Sequence, residues 1–377
     1  MRPAFSSTKQ AAAFTLILLF VLVSPILAGK RFLPPREQSY AIQGWDNGPF
    51  PWLRQQIFVE TNDVDIVFAG SSLMMWGIDT PYVQEKLTEK LNHPAVVRSI
   101  CWGGTGYDGL YFITQDLLSH RKVRMLVFYD EDNVLKNYRN TQSPIWFRFG
   151  DNFEALTGLP FNEKAELYFS AIIGLPRNLL ALTSPILPMP LVSTEPNYME
   201  KMFHTLNPSK RLGSVSAELS CSPAADGQPF VPFRPYVKIQ PEETLIYNTN
   251  TASEFQFTNV RLPAWQSHFV SKFAKLAMQY HCKLVMIHLP LLDTARPTRL
   301  IERQNWQYFL KCDLNIIGIP PARLFFDLSD EQIYSLYANA GHRNNAFNSH
   351  LNRNGQQYFT PLITPAILKL YESATNN

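Results

Sequence analysis

The stretch from Asp65 to Thr80 constrains the fold more than any other part of this sequence. It begins with a short apolar run, Ile66–Ala69, which is typical of a buried strand in a parallel sheet. Gly70 follows, and glycine accepts backbone conformations that other residues adopt only at a cost. Two hydroxyl residues, Ser71 and Ser72, come next. The sequence predicts a serine just beyond the carboxyl end of a strand, where open α/β sheets bind ligands, although an ordinary turn is the alternative.

A helix is predicted directly after this turn. Asp79 or Thr80 can cap its amino end, and Pro81 suits its first turn. Apolar residues then recur at every fourth position (Val83, Leu87 and Leu91). From residue 64 onward, strand and helix patterns of this kind alternate, which predicts an α/β fold with a mostly parallel sheet and helices on both faces.

The pattern predicts about five parallel strands. They are expected at Asp65–Ala69, Ala95–Cys101, Met125–Tyr129, Lys283–Leu289 and Arg323–Leu328. Helices are expected from Thr80 to Leu91, then at Gly109–Leu118, Ala264–Tyr280, Arg299–Leu314, Asp330–Ala340 and Asn352–Tyr371. Residues 140–260 interrupt the alternation with prolines, aromatics and short amphipathic pieces such as Glu163–Ile173, and we interpret them as a mixed insertion that packs over the sheet.

Composition excludes some classes of protein. The chain has 377 residues, of which 46% are hydrophobic and 17% charged, so it can bury a sizeable core. The net charge is +3 and no long run of lysine or arginine occurs, which argues against nucleic acid as a partner. We predict one α/β domain over residues 64–377, with the insertion inside it.

The amino terminus predicts export. Ala11–Ala28 is uncharged and largely apolar, at the short limit for a membrane span, and it follows Arg2 and Lys9. Residues 1–28 therefore act either as a membrane anchor, which we favour slightly, or as a signal peptide cleaved after Ala28. The domain would then be anchored outside the cytoplasm, or secreted or periplasmic after cleavage. Residues 29–63 are interpreted as a linker that becomes packed.

The four cysteines match no metal or redox spacing. They are Cys101, Cys221, Cys282 and Cys312. Export would permit disulfides, and we prefer Cys282 with Cys312 as a pair. Cys101 lies on a predicted inner strand and is interpreted as a small buried apolar residue.

Ser72 is the candidate nucleophile, since a hydrolase of this kind needs a hydroxyl, a base and donors for the oxyanion. The lipase-type pattern Gly-x-Ser-x-Gly is absent because Met74 stands where its second glycine would be. The loop Gly103–Gly106 lacks the lysine of a phosphate-binding loop. Gly106 could present its backbone N–H to a substrate oxygen, or the loop could be only a tight turn.

Two further groups could take part in chemistry. Asp130–Asn133 ends the third predicted strand and could hold a divalent cation, cap a helix or form a solvated loop. No partner ligands stand out elsewhere, so no metal and no cofactor are expected. His350 precedes the last helix in the run Asn348–Gly355. The chain has eight histidines, and six of the other seven have no comparable context (His93, His204, His268, His281, His288 and His342).

These segments, taken in order, resemble the four sequence blocks of the SGNH/GDSL hydrolase superfamily. The blocks are Gly70-Ser71-Ser72, Gly106, Asp130–Asn133 and His350-Leu351-Asn352-x-x-Gly355. The nearest likeness is to the membrane-anchored cell-envelope branch, which includes alginate-acetylation and D-alanyl-transfer proteins. The resemblance covers about residues 64–135 and 280–370 and implies a flavodoxin-like three-layer sandwich.

The resemblance also implies a role for each residue. Ser72 would be the nucleophile and would supply one oxyanion donor through its backbone N–H, Gly106 would supply a second N–H, and the side-chain amide of Asn133 a third. His350 would be the general base that later protonates the leaving alcohol. The substrate would be an acyl ester or carbohydrate, and a membrane protein that donates the acyl group remains open as a partner.

Two departures from the family pattern concern the site. The third block usually reads Gly-x-Asn-Asp, whereas this sequence has Asp132 at the asparagine position, followed by Asn133. The aspartate usually found two or three residues before the histidine is replaced by Asn348 and Phe347. In serine proteases the corresponding Asp-to-Asn change lowers turnover by about 10⁴. A carboxylate from elsewhere, such as Asp327, could substitute.

Three functional hypotheses follow from the sequence. The first is an extracytoplasmic serine-dependent esterase or O-acyltransferase that acts on acyl esters, with a cell-envelope glycan as the favoured substrate. The second is a catalytically degenerate relative that serves as a glycan-binding or assembly subunit, and the two departures favour it. The third is a membrane-anchored structural protein whose Gly-Ser-Ser is merely a turn.

Overall fold

The computed structural model describes most of the domain. The described residues are 4–43, 50–101, 106–129, 143–183, 245–247, 263–290 and 315–319, together with 324–325, 328–329, 332–333, 336–337, 351 and 353–375. Asp132, Asn133, Asp327, Asn348 and His350 lie outside these ranges. So do Cys221, Cys312 and the predicted helix at 299–314, so the pairing of Cys282 with Cys312 stays a prediction.

A mixed sheet with five parallel strands forms the centre of the fold. The strands are β1 (Val64–Gly70), β2 (Val97–Cys101), β3 (Val123–Tyr129), β4 (Leu245–Tyr247), β5 (Lys283–Ile287) and β6 (Asn315–Gly318). Their order is β2-β1-β3-β5-β6-β4, and only the pairing of β4 with β6 is antiparallel. The five parallel strands follow the flavodoxin-like order, so the predicted α/β fold is confirmed.

Helices cover both faces of this sheet, and a further helix, α1 (Thr8–Ala28), precedes the domain and has no buried residue. The others are α2 (Arg36–Gln43), α3 (Phe50–Arg54), α4 (Ser72–Gly77), α5 (Thr80–Leu91), α6 (Tyr107–His120), α7 (Ser143–Trp146), α8 (Phe153–Leu156), α9 (Phe161–Thr183), α10 (Ala264–Gln279) and α11 (Arg353–Thr375). A single turn of π-helix, Gln55–Val59, follows α3. Most of the predicted helices that fall on described residues are found within a few positions of their expected ends.

The core lies in two layers because successive side chains of a strand point to opposite faces. In β1, Val67 and Ala69 pack with α6 and α10, whereas Ile66 and Phe68 pack with α4, α5 and α11. Every residue of β1 is buried, as expected for a central parallel strand covered on both faces. The predicted apolar face of α10 is confirmed, since its large side chains are buried (Trp265, Phe269, Phe273 and Leu276).

Two sequence predictions about strands are wrong. The fifth parallel strand is β6, Asn315–Gly318, and Arg323–Leu328 is not a strand at its described positions. Leu324, Phe325 and Leu328 are nevertheless buried, since a short apolar run indicates burial without fixing the backbone conformation. Within the described part of the chain β2 pairs with β1 alone, so Cys101 lies on an edge strand rather than an inner one.

Cys101 is nonetheless buried, as predicted, with a side chain that is 2% exposed. Burial raises the pKa of its thiol to about 12, above the ordinary value of about 8.5. The pKa of the thiol is thus higher in the folded protein than in the unfolded one. The contribution of this thiol to the free energy of unfolding is therefore fully present below the unfolded pKa and is lost as pH rises toward 12. We expect urea unfolding midpoints to fall between pH 9 and pH 11, and to fall less steeply in Cys101→Ala. Equal slopes in the two proteins would contradict this.

The predicted linker before the sheet is a packed helical segment. Tyr40, Phe50, Leu53 and Ile57 are fully buried and join the core on the α6 side. Asp116 of α6 binds this segment, as Arg36 Nε donates to its Oδ1 at 2.7 Å and the Tyr40 hydroxyl to its Oδ2 at 2.8 Å. The segment therefore belongs to the domain.

Helix α1 is long and apolar enough to cross a membrane as an anchor, or to act as a signal sequence. Its mean hydropathy is 2.6 and none of its residues is buried. The Ser7 hydroxyl caps its amino end by accepting from the Gln10 N–H at 3.2 Å. This is consistent with the predicted function of residues 1–28.

Candidate functional site

The two serines after β1 have different surroundings. Ser71 is the N-cap of α4, and its hydroxyl accepts a hydrogen bond from the Leu73 N–H at 3.3 Å. Ser71 is 1% exposed, whereas Ser72, the first residue of α4, is half-buried. The sequence predicted a turn here and missed this short helix. Ser72 lies at the carboxyl edge of the sheet, as predicted, and is the more accessible of the two hydroxyls.

Gly106 lies at the same edge, beyond the neighbouring strand β2. It is the N-cap of α6, and its backbone is extended (φ −90°, ψ 173°), so the position does not require a glycine for its conformation. A glycine would instead keep the space beside its backbone free of a side chain. Next to it, the Tyr107 N–H donates to the buried Gln266 side chain at 3.4 Å. Ser72 and Gly106 therefore follow adjacent strands.

The third candidate segment begins at this edge but lies outside the described residues. Strand β3 pairs with β1 and ends at Tyr129, and Asp130–Asn133 follow it. Among the described residues, no cluster of three or more histidine, cysteine, aspartate or glutamate side chains could hold a metal ion. The roles of Asp132 and Asn133 remain predictions.

The residue that follows His350 is held at the carboxyl edge. Leu351 forms an antiparallel bridge with Tyr337, and both side chains are buried. The Tyr337 hydroxyl donates to the Pro290 carbonyl at 3.2 Å, three residues beyond the end of β5. Burial raises the pKa of Tyr337 well above its ordinary value, so the hydroxyl stays protonated and remains a donor.

The start of α11 is fitted closely against this bridge. A methyl group added at Gly355 would lie 2.2 Å from the Leu336 carbonyl oxygen and 2.7 Å from the Leu351 side chain. One turn further along, the Thr360 hydroxyl accepts from the Asp79 N–H at 2.9 Å, and Asp79 caps α5. Helix α11 is thus joined both to the Tyr337–Leu351 bridge and to the connection that follows α4.

Two polar residues at this edge were not predicted as site residues. His288 follows β5 directly, is 7% exposed, and donates its backbone N–H to the Ile317 carbonyl at 2.8 Å. Its position after a predicted strand was a signal visible in the sequence. Gln356 in α11 is fully buried, and among the described residues neither atom of its side-chain amide has a hydrogen-bond partner. No sequence pattern indicated that environment.

The arrangement brings a half-buried hydroxyl and a buried glycine to adjacent strand ends, and holds the neighbour of His350 at the end of β5. This is compatible with nucleophilic acyl chemistry at the carboxyl edge. A scan against protein-family models and a search of curated proteins gave no match for this chain.

Proposed function

We propose that this protein is an extracytoplasmic serine-dependent esterase or O-acyltransferase, related to the SGNH/GDSL hydrolases, that acts on acyl esters of a cell-envelope glycan. The observation that carries the proposal is the placement of Ser72 after β1, together with the link through Tyr337 between Leu351 and the segment that follows β5. Strands β1 and β5 both pair with β3, so their carboxyl ends are about 10 Å apart. His350, the residue before Leu351, lies outside the described residues, so its convergence with Ser72 is part of the proposal.

The reaction would run through an acyl-enzyme. Ser72 Oγ attacks the ester carbonyl while His350 takes the hydroxyl proton, and the backbone N–H groups of Ser72 and Gly106 stabilise the oxyanion. Collapse of the tetrahedral intermediate breaks the ester C–O bond, and His350 returns its proton to the leaving alcohol. Water or a glycan hydroxyl then gives its proton to His350 and attacks the acyl-serine. Collapse of the second tetrahedral intermediate breaks the bond between Ser72 Oγ and the acyl group, and His350 returns the proton to Ser72 Oγ.

The two departures from the family pattern affect how well the proposed site would catalyse this reaction. If Asn133 faces the substrate, its amide completes the oxyanion hole, whereas an ionised Asp132 there would repel the developing charge. Asn348 can orient the imidazole through its carbonyl but cannot neutralise the imidazolium. A catalytically degenerate glycan-binding or assembly subunit is therefore the alternative function.

Active-site labelling tests the proposal. We expect a fluorophosphonate probe to label the full-length wild-type protein in membranes and to leave Ser72→Ala unlabelled, because the probe bonds only to an activated serine. Ser71→Ala is the matched control, since it removes a helix cap worth about 1 kcal/mol and should keep the label. A folded wild type that takes no label but retains glycan in a pull-down would reject the enzyme in favour of the binding subunit.

The same labelling assay tests which histidine is the general base. We expect His350→Gln to slow labelling strongly and His288→Asn to leave its rate close to wild type, provided that circular dichroism shows both variants folded. Slow labelling in His288→Asn alone would transfer the role of base to the histidine that follows β5.

A further inference from the structure

Helix α9 has an apolar stripe on its exposed side. Phe161 is 84% exposed, Phe169 45% and Ile173 76%, and these three side chains define the α9 stripe. The opposite side of the helix packs into the core through Leu167 and Ala171. A helix that needed only to cover the domain would place polar residues on its outer side, so the stripe indicates a second apolar environment.

The three residues lie on one side of α9. At 100° per residue, Phe161, Phe169 and Ile173 fall within an arc of about 120°, which near its amino end also contains the exposed Asn162. The exposed Glu166 lies about 20° beyond the edge of that arc, and the exposed Ser170 about 60° beyond it. The stripe is therefore bounded by polar residues on the side facing away from Tyr168.

Contact with α1 identifies what the stripe faces. The Tyr168 hydroxyl donates to the Leu22 carbonyl, which places α9 beside the carboxyl half of α1. Most side chains of α1 are apolar and many are exposed, and Phe20 and Leu27, for example, are 70% and 78% exposed. The stripe on α9 and the surface of α1 therefore form neighbouring parts of one apolar region.

The contact between Tyr168 and Leu22 also indicates how deeply α9 would lie in a bilayer. Leu22 lies six residues before the end of α1, which corresponds to about 9 Å along the helix axis. If α1 crosses a bilayer, α9 meets it about 9 Å inside that end. Interfacial amphipathic helices insert their apolar side about 5–10 Å into the boundary between headgroups and acyl chains.

We propose that α9 is a second membrane-binding element, which inserts the α9 stripe between phospholipid acyl chains beside the anchor. The inference rests on α1 being retained as an anchor, as in the proposed function, but not on the ester chemistry. Lipid is favoured over a protein partner because the stripe adjoins a helix whose own exposed surface suits hydrocarbon.

Photocrosslinking to lipid tests this inference. The full-length protein is reconstituted in phosphatidylcholine–phosphatidylglycerol vesicles that contain a phospholipid with a diazirine in its acyl chain, irradiated, and mapped by mass spectrometry. We expect adducts on peptides of α1 and on residues 161–173. Ile173→Asp should reduce the α9 adducts at least fivefold and leave those of α1 unchanged, because a charge at that position opposes burial in hydrocarbon.

Ser170→Asp is the matched control, since it adds the same charge at an exposed position of the same helix and should leave the adducts unchanged. Adducts on α1 with none on α9 would overturn the proposal, as would equal losses in the two variants. A covalent dimer joined through α9 without lipid adducts would overturn it in favour of a second copy of the chain. Fluorophosphonate labelling of Ser72 in the same vesicles reports separately on the proposed function.

Discussion

Gly355→Ala is expected to destabilise the protein by roughly 3 kcal/mol, because the new methyl group would lie 2.2 Å from a backbone oxygen that cannot rotate away. Relief of that overlap requires a shift of Leu336 or of α11, and both hold Leu351 in its bridge with Tyr337. We therefore expect a lower midpoint in urea and also slower labelling of Ser72, even at temperatures where the variant remains folded.

Gly174→Ala provides the matched control on another helix. In the described part of the chain, nothing lies within 4 Å of the position that its methyl group would occupy. Alanine in a helix interior is more favourable than glycine by about 0.5–1 kcal/mol, so this variant should be slightly more stable than wild type. If Gly355→Ala is also neutral or stabilising, the close contact between α11 and Leu336 does not exist in the protein.

Asp116→Ala is expected to destabilise the protein by about 3–5 kcal/mol, the usual result of removing one partner from a buried ion pair. Asp116 is 4% exposed and accepts from Arg36 Nε at 2.7 Å and from the Tyr40 hydroxyl at 2.8 Å. Burial and the neighbouring Asp116 raise the pKa of Tyr40 well above its ordinary value, so its hydroxyl stays protonated. The variant would remove the acceptor of Arg36 Nε and of this hydroxyl, and among the described residues the guanidinium would keep only the bond from its Nη1 to the Trp146 carbonyl.

The exposed pair Lys86–Glu89 on α5 is the control for that experiment. Its nitrogen and oxygen lie 2.8 Å apart, but both side chains are substantially exposed to solvent. Water and salt screen such pairs, so Glu89→Ala should have little effect on the urea midpoint. If the urea midpoint falls equally little in Asp116→Ala, the Asp116 carboxylate does not stabilise the packing of α2 on α6. Hydrogen exchange in α2 should rise in Asp116→Ala alone.

Helices and strands whose apolar residues form a clear run or recur at a regular spacing could be predicted from the sequence. The apolar run of β1 and the four-residue spacing in α5 predicted those elements to within one residue. Helix α4 was missed because its six residues contain too few turns for a period to emerge. The fifth strand was wrong because Ile316 and Ile317 give a weaker signal than the longer apolar run that follows them.

The site was predictable only where it depends on topology. The carboxyl ends of parallel strands share one edge, so Ser72 and Gly106 were expected to lie together, and they follow adjacent strands. The bridge between Tyr337 and Leu351, and the approach of Gly355 to Leu336, join segments through tertiary packing. Neither residue type nor spacing carries a local signal for such contacts, and the same holds for the unbonded amide of Gln356.

The short connection between α1 and α2 limits how far the domain can move from a bilayer. Only residues 29–35 separate the two helices, and Gly29–Phe32 form a turn of 3-10 helix. Even fully extended, seven residues span at most about 25 Å, and a helical turn shortens that reach. With α1 anchored, the domain would stay close to the lipid, and under the proposed function the glycan substrate would therefore have to lie close to the membrane surface.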